Sequence, residues 1–200
     1  MKVLTAYNNA YRELGSECVA SANEFGYDTV VHQISDSFQV EKMSDGYTSM
    51  AVFKPQVIYD ALKAYNEPIL WLDADTEMLK QPDFGDMKEF DIAVAVRKKQ
   101  HEVVFDRASY RQGWYNAGVI LLNNTDITIR FMELWKYLTA WKRNDQLSLN
   151  ILLSGHFPHF YNDPIRIKKL PYTYNDSEPD DNTIIHHKKV SRSQKKNGDQ

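Results

Sequence analysis

Residues Ile69-Leu70-Trp71-Leu72 run without a break into Asp73-Ala74-Asp75-Thr76. A short unbroken apolar run is the pattern of a strand buried on both faces of a parallel or mixed sheet. Aspartate is a poor strand former, so two carboxylates at the carboxyl end of that strand call for another explanation. Side chains at i and i+2 of an extended chain point the same way, which lets Asp73 and Asp75 converge. In open α/β sheets ligands bind outside the carboxyl ends of the strands. Two hard oxygen donors there suit Mg²⁺ or Mn²⁺ carrying a diphosphate. The competing reading is that both aspartates cap a turn or the next helix.

The rest of the chain supplies such a sheet. Lys2–Ala6 reads as a first strand, followed by the polar break Tyr7-Asn8-Asn9. Apolar residues at Leu14, Cys18, Val19, Ala22 and Phe25 give Tyr11–Phe25 a helical spacing. Gly26 is a helix stop, and Thr29–Ile34 is a β-branched second strand. Strand–helix–strand at the start predicts a parallel α/β sheet. Ala51–Tyr65 reads as a helix with Pro55 near its first turn, leading into the Asp73/Asp75 strand. Further strands are expected at Asp91–Val96 and Trp114–Leu122, the latter with a close backbone approach at Gly118. Asp126–Trp141 is an amphipathic helix capped by Thr125 or Asp126. Asn144-Asp145-Gln146 opens another helix, Leu147–Leu153. Ile165–Leu170 and Thr183–Ile185 read as short late strands, 84–89 as a connector and 97–111 as a charged loop. The expectation is one α/β domain over residues 1–192, with 193–200 a basic, disordered tail.

Composition narrows the function. The 42% hydrophobic content is that of a globular chain, and 200 residues make one domain with a real core. Net charge is −3; from His186 onward five Lys/Arg stand against one Asp, a surplus of four, which leaves −7 for the body. A body of that charge is unsuited to general nucleic-acid binding. The single cysteine, Cys18, forms no internal disulfide. No apolar run reaches the ~18 residues of a membrane span, and the N-terminus lacks the pattern of a signal peptide. A cytoplasmic enzyme is expected.

Several residues are candidates for the chemistry. His186 and His187 follow Ile184-Ile185, and a neutral imidazole is a good third ligand beside carboxylates; spacing does not choose between them, and His186 is favoured. Lys188, Lys189 and Arg192 could neutralise a leaving diphosphate, or belong to a solvated tail. Tyr7 could stack on a base and Asn8 bond to it. Lys54 sits near a helix start, where a cation opposes the dipole, which points to an anionic partner. Asn116 could bond sugar hydroxyls, and Asp145 either caps its helix or contacts a sugar. Trp71, Trp114, Trp135 and Trp141 are read as packing residues, Trp114 being the one candidate for stacking on a sugar ring.

These segments, in this order, resemble the GT-A-fold nucleotide-sugar glycosyltransferases, in particular the glycogenin and lipopolysaccharide galactosyltransferase group. The resemblance runs from Thr5-Ala6-Tyr7-Asn8 through the Lys54 helix and Asp73-Ala74-Asp75. It continues through Tyr115–Leu121 and Asn144-Asp145-Gln146 to Ile184-Ile185-His186. It implies a single mixed, mostly parallel sheet flanked by helices. It also implies a divalent metal, usually Mn²⁺, on Asp73, Asp75 and the late histidine. Base and ribose contacts are implied near Tyr7 and Asn8, and sugar contacts near Lys54, Asn116 and Asp145. The family's late motif is His-x-x-Gly-x-x-Lys; counted from His186, Lys189 replaces the glycine and Arg192 the lysine.

The implied reaction is hexose transfer, with retention, from a UDP-sugar to an acceptor hydroxyl; if the reaction inverts, Asp145 is the candidate base. A phosphatase of the haloacid dehalogenase type also places Asp-x-Asp after a strand, but normally the first strand, with Thr or Val where Glu77 stands. A sugar-1-phosphate nucleotidyltransferase should carry a Gly-rich loop after the first strand, and Tyr7-Asn8-Asn9-Ala10-Tyr11 has no glycine. A non-catalytic scaffold is the remaining alternative.

Overall fold

The computed structural model of the protein describes residues 1–35, 50–97, 114–154 and 164–188. The strands are β1 (Lys2–Tyr7), β2 (Asp28–Gln33), β3 (Ile69–Leu72), β4 (Thr76–Met78), β5 (Ile92–Val96), β6 (Tyr115–Leu122), β7 (Ile167–Leu170) and β8 (Ile185–His187). The helices are α1 (Arg12–Glu24), α2 (Met50–Tyr65), α3 (Asp126–Lys142) and α4 (Asp145–Leu153). Six strands form one sheet in the order β2-β1-β3-β6-β5-β7, and β4 pairs with β8 in a small second sheet. Within the large sheet only β6 runs against its neighbours. The expected mixed, mostly parallel α/β sheet is the one observed.

β3 is central because no residue in it tolerates water. Ile69 and Trp71 face a core built from α2, α3 and α4, which includes Ile58, Leu62, Phe131 and Trp135. Leu70 and Leu72 face the opposite core, with Cys18 and Ala22 of α1, Met78 of β4 and Ile185 of β8. Strand alternation thus divides one four-residue run between two layers.

Local signals explain most boundaries. Thr125 caps α3, its side chain accepting from Thr128 N, and Asn144 caps α4 by accepting from Leu147 N. Arg143 closes α3 in the left-handed conformation (φ 55°), and Gly26 follows α1 at φ 78°. Pro55 is the sixth residue of α2 rather than a first-turn residue. Trp141 is not a packing residue: it is 67% exposed. The last strand is Ile185–His187, two residues later than expected, because it pairs with β4, a strand not expected at all. All but Arg97 of the charged loop expected at 97–111, and the tail expected at 193–200, lie outside the described residues.

Candidate active site

The sheet ends its buried run at Leu72, and the next four residues turn. Thr76 N and Thr76 Oγ1 both donate to Asp73 O (3.0 and 2.7 Å), and Asp73 N donates to Gly118 O on β6 (2.9 Å). Asp73 and Asp75 therefore sit in a hydrogen-bonded turn, not in an extended strand. Their convergence comes from that turn and from β8, which lies beside β4. Ligating atoms of Asp73, Asp75 and His187 all lie within 4.8 Å of one another.

His187, not His186, occupies this group. β8 alternates: Ile185 is opposite Met78 and His187 opposite Thr76, while His186 pairs with Glu77. Ile185 is buried in the core, so its i+2 neighbour faces inward and His186 faces the other way. The structure brings His187, rather than the favoured His186, beside the two aspartates because the strand runs on through both histidines instead of ending before them.

His187 is tightly placed. Its Nε2 is 3.1 Å from Asp75 Oδ1, and its Nδ1 is 2.8 Å from Asn175 Oδ1. Each ring nitrogen thus has an oxygen beside it, a carboxylate at Nε2 and an amide at Nδ1, which fixes the plane of the imidazole. The Asp75 carboxyl is shifted downward overall: burial raises it, and the hydrogen bond and charge of His187 outweigh that rise. Gly118 provides the space, since its backbone lies directly against the imidazole. Two carboxylates and an imidazole steadied through its other nitrogen form a donor set that fits a divalent cation such as Mn²⁺.

Lys54 lies at the centre of the site. Its Nζ is 2.8 Å from Asp73 Oδ1, 2.8 Å from Asp145 Oδ2 and 3.1 Å from Ala117 O. All three ammonium protons thus have partners, so Lys54 is not a free cation waiting for a phosphate. Burial acts to lower its pKa, but Asp145 and then Asp73 override this and hold it above the usual lysine range. Asp145 is the first residue of α4 and leaves the capping to Asn144, which separates the two roles left open by the sequence.

α4 also repairs the start of β6, which extends past the end of β3. Gln146 Oε1 accepts from Ala117 N (2.8 Å), and its Nε2 donates to Tyr115 O. Asn150 accepts from Tyr115 N (2.9 Å) and donates to Tyr115 O (3.0 Å). Asn116 Oδ1 accepts from Gly118 N, so it shapes this edge locally.

The remaining candidates divide. Tyr7 is buried, its ring lying on α1 where Gly15 leaves no Cβ, so little of it is free to stack; Tyr11, at the same edge, is partly exposed. Asn8 Oδ1 is buried and has no hydrogen-bond donor among the described residues. Lys188 points away from the aspartates, to Glu17 (2.6 Å) and Glu77 (3.1 Å), although its backbone N donates to Asp75 O. Arg192 lies outside the described residues. Trp114 is 41% exposed beside β6. Asn175 and the indole of Trp71 were not singled out by the sequence; no spacing rule marks a partner that only tertiary packing brings near.

An acidic turn at the carboxyl end of the central strand of this mixed sheet is the arrangement expected of a GT-A-like protein. The chain belongs to the nucleotide-diphospho-sugar transferase family, whose model matches residues 10–196. Among solved structures, it resembles a glycosyltransferase involved in the glycosylation of the major capsid of PBCV-1, at TM-score 0.67 and 14% identity over 97% of this chain and 96% of that one. GlyE of Streptococcus pneumoniae TIGR4 in its apo form gives TM-score 0.56 and 17% identity, with 96% of this chain covering 54% of that one. An active-site mutant of LgtC gives TM-score 0.52 and 14% identity over 94% of this chain and 86% of that one. At these identities the likeness is one of fold. No curated protein matches the sequence. Among the described residues no helix is long and apolar enough to cross a membrane.

Proposed function

We propose that the protein transfers a hexose from a nucleoside diphosphate sugar, a UDP-sugar foremost, to an acceptor hydroxyl in a metal-dependent reaction in the cytoplasm. The observation that carries this reading is the convergence of Asp73, Asp75 and His187 at the carboxyl ends of the strands. When bound there, Mn²⁺ or Mg²⁺ would supply charge stabilisation to the departing diphosphate.

The chain's own groups prepare that event. Lys54 holds Asp73 and Asp145 in fixed positions through ion pairs of 2.8 Å each. The orphaned Asn8 Oδ1 offers an acceptor to a base N–H, and Tyr11 replaces Tyr7 as the aromatic with surface to stack. Asn116 and Asp145 are the proposed sugar contacts, as the family resemblance implies. Lys188 and Arg192 remain proposed cations for the diphosphate, with Lys188 first having to leave Glu17 and Glu77. Retention is the stereochemical outcome that the family resemblance favours.

The test is thermal melting against a panel of nucleoside diphosphates, with and without Mn²⁺. A ligand that binds the native state alone raises stability by mass action. A shift selective for one nucleotide and dependent on Mn²⁺, lost in Asp75→Ala, is the expected result. No metal-dependent shift with any nucleotide would leave a scaffold protein as the better reading.

A further inference from the structure

We propose that Trp71 is a positioning residue for the metal–nucleotide site: with Lys54 it fills Oδ1 of Asp73, so that Oδ2 alone is presented to a ligand. The inference rests on the donor-site reading above and adds a residue to it.

Asp73 Oδ1 accepts from Trp71 Nε1 at 2.8 Å and is paired with Lys54 Nζ at 2.8 Å. A carboxylate oxygen offers two lone-pair directions, and both are used. Among the described residues no donor reaches Oδ2. The carboxylate is therefore held through Oδ1, and Oδ2 is its oxygen without a protein donor among the described residues.

The two donors differ in stiffness. The Lys54 ammonium sits on a long stem and is shared with Asp145 and Ala117 O. The indole is 3% exposed and lies in β3, with Leu4 of β1 and Ile120 of β6 on either side in register. Its ring face lies 5.6 Å from Lys54 Nζ, a cation–π distance. One rigid ring thus touches both the acidic residue and its lysine. Packing alone explains why a tryptophan is buried here, and a buried indole N–H usually finds some acceptor. Packing does not explain why that acceptor is the oxygen left over by a ligating carboxylate. Partners of this kind set the orientation of metal ligands, and their loss costs about 10–100-fold in metal affinity.

The experiment uses the full chain, with Trp71→Phe as the variant and the exposed Trp141→Phe as control. Mn²⁺ affinity is read in the presence of UDP by counting free Mn²⁺ with electron paramagnetic resonance. Trp71→Phe keeps a ring in the core and removes the N–H. We expect its Mn²⁺ affinity to fall about tenfold or more, with Trp141→Phe matching wild type. Equal affinity in Trp71→Phe and wild type overturns the role of Trp71 and leaves the donor site standing. No UDP-dependent Mn²⁺ binding in wild type overturns both. Should Trp71→Phe fail to fold, the wild-type indole N–H resonance of Trp71, assigned through its contacts with Leu4 and Ile120, decides. A shift on adding Mg²⁺ and UDP supports the role, and an unmoved resonance under saturating ligand overturns it.

Discussion

A Cβ on Gly118 would stand 2.9 Å from Cε1 and 3.0 Å from Nδ1 of His187, and 3.1 Å from Asn175 Oδ1. The glycine is needed for close approach, not for backbone conformation, since it is not among the positive-φ glycines. Gly118→Ala should push the imidazole off the aspartates while leaving the sheet intact. The expected outcome is a Mn²⁺-dependent nucleotide melting shift reduced to the level reached without metal. The ligand-free melting temperature should fall only slightly. An unchanged metal-dependent shift would show that His187 need not sit where Gly118 lets it.

Lys54 compensates two carboxylates at once, and its own side chain is 12% exposed. Removing one member of a buried ion pair leaves the others desolvated and unpaired, at a cost of about 3 kcal/mol. Lys54→Met should therefore destabilise strongly in urea unfolding. Asp145→Asn in that background should cost less than it does alone, because the unpaired charge is gone. Strict additivity of the two substitutions would contradict the coupling.

The histidine pair gives a direct contrast. His187→Ala should abolish metal-dependent nucleotide binding, whereas His186→Ala, opposite Glu77 in the ladder, should retain it. Calorimetric titration of Mn²⁺–UDP into the two variants measures this. The opposite ranking would restore the assignment first drawn from the sequence.

That reversal shows where the sequence was legible. β3 announced itself because four apolar residues in a row have few other destinations, and the acidic pair after them marked the turn that meets His187. The helices followed from spacing and caps, Thr125 and Asn144 included. What the sequence hid was set by tertiary neighbours. The strand β4 is three residues long and exists because β8 pairs with it, so neither its presence nor the inward face of His187 had a local signal. Lys54 looked like a free cation until Asp145, far along the chain, came within 2.8 Å. Tyr7 looked available for stacking until Gly15 drew its ring under α1.

Asp91, just before β5, carries the clearest pH dependence. Its side chain is 1% exposed. Arg166 binds it through Nε to Oδ2 (3.1 Å) and Nη2 to Oδ1 (3.0 Å), Arg166 N adds a bond to Oδ2 (2.9 Å), and Thr125 Oγ1 donates to Oδ1 at 3.3 Å. Burial raises the Asp91 carboxyl, but these partners lower it more, so its folded pKa lies below the ordinary carboxylate value. A depressed folded pKa means that the unfolded chain binds the proton first. The stabilisation is thus fully present above the unfolded value of ~3.9 and disappears as pH falls through the lower folded value. Asp91→Asn should cost about 2 kcal/mol at pH 7, the scale of hydrogen bonds to a charged group. That difference from wild type should shrink towards zero as the pH falls below the usual aspartate range. Urea unfolding of both proteins from pH 7 down to pH 2.5 provides the test (~4.5 units, spanning the aspartate range). A gap that stays constant or widens in acid would mean that the Asp91–Arg166 pair does not contribute through its charge.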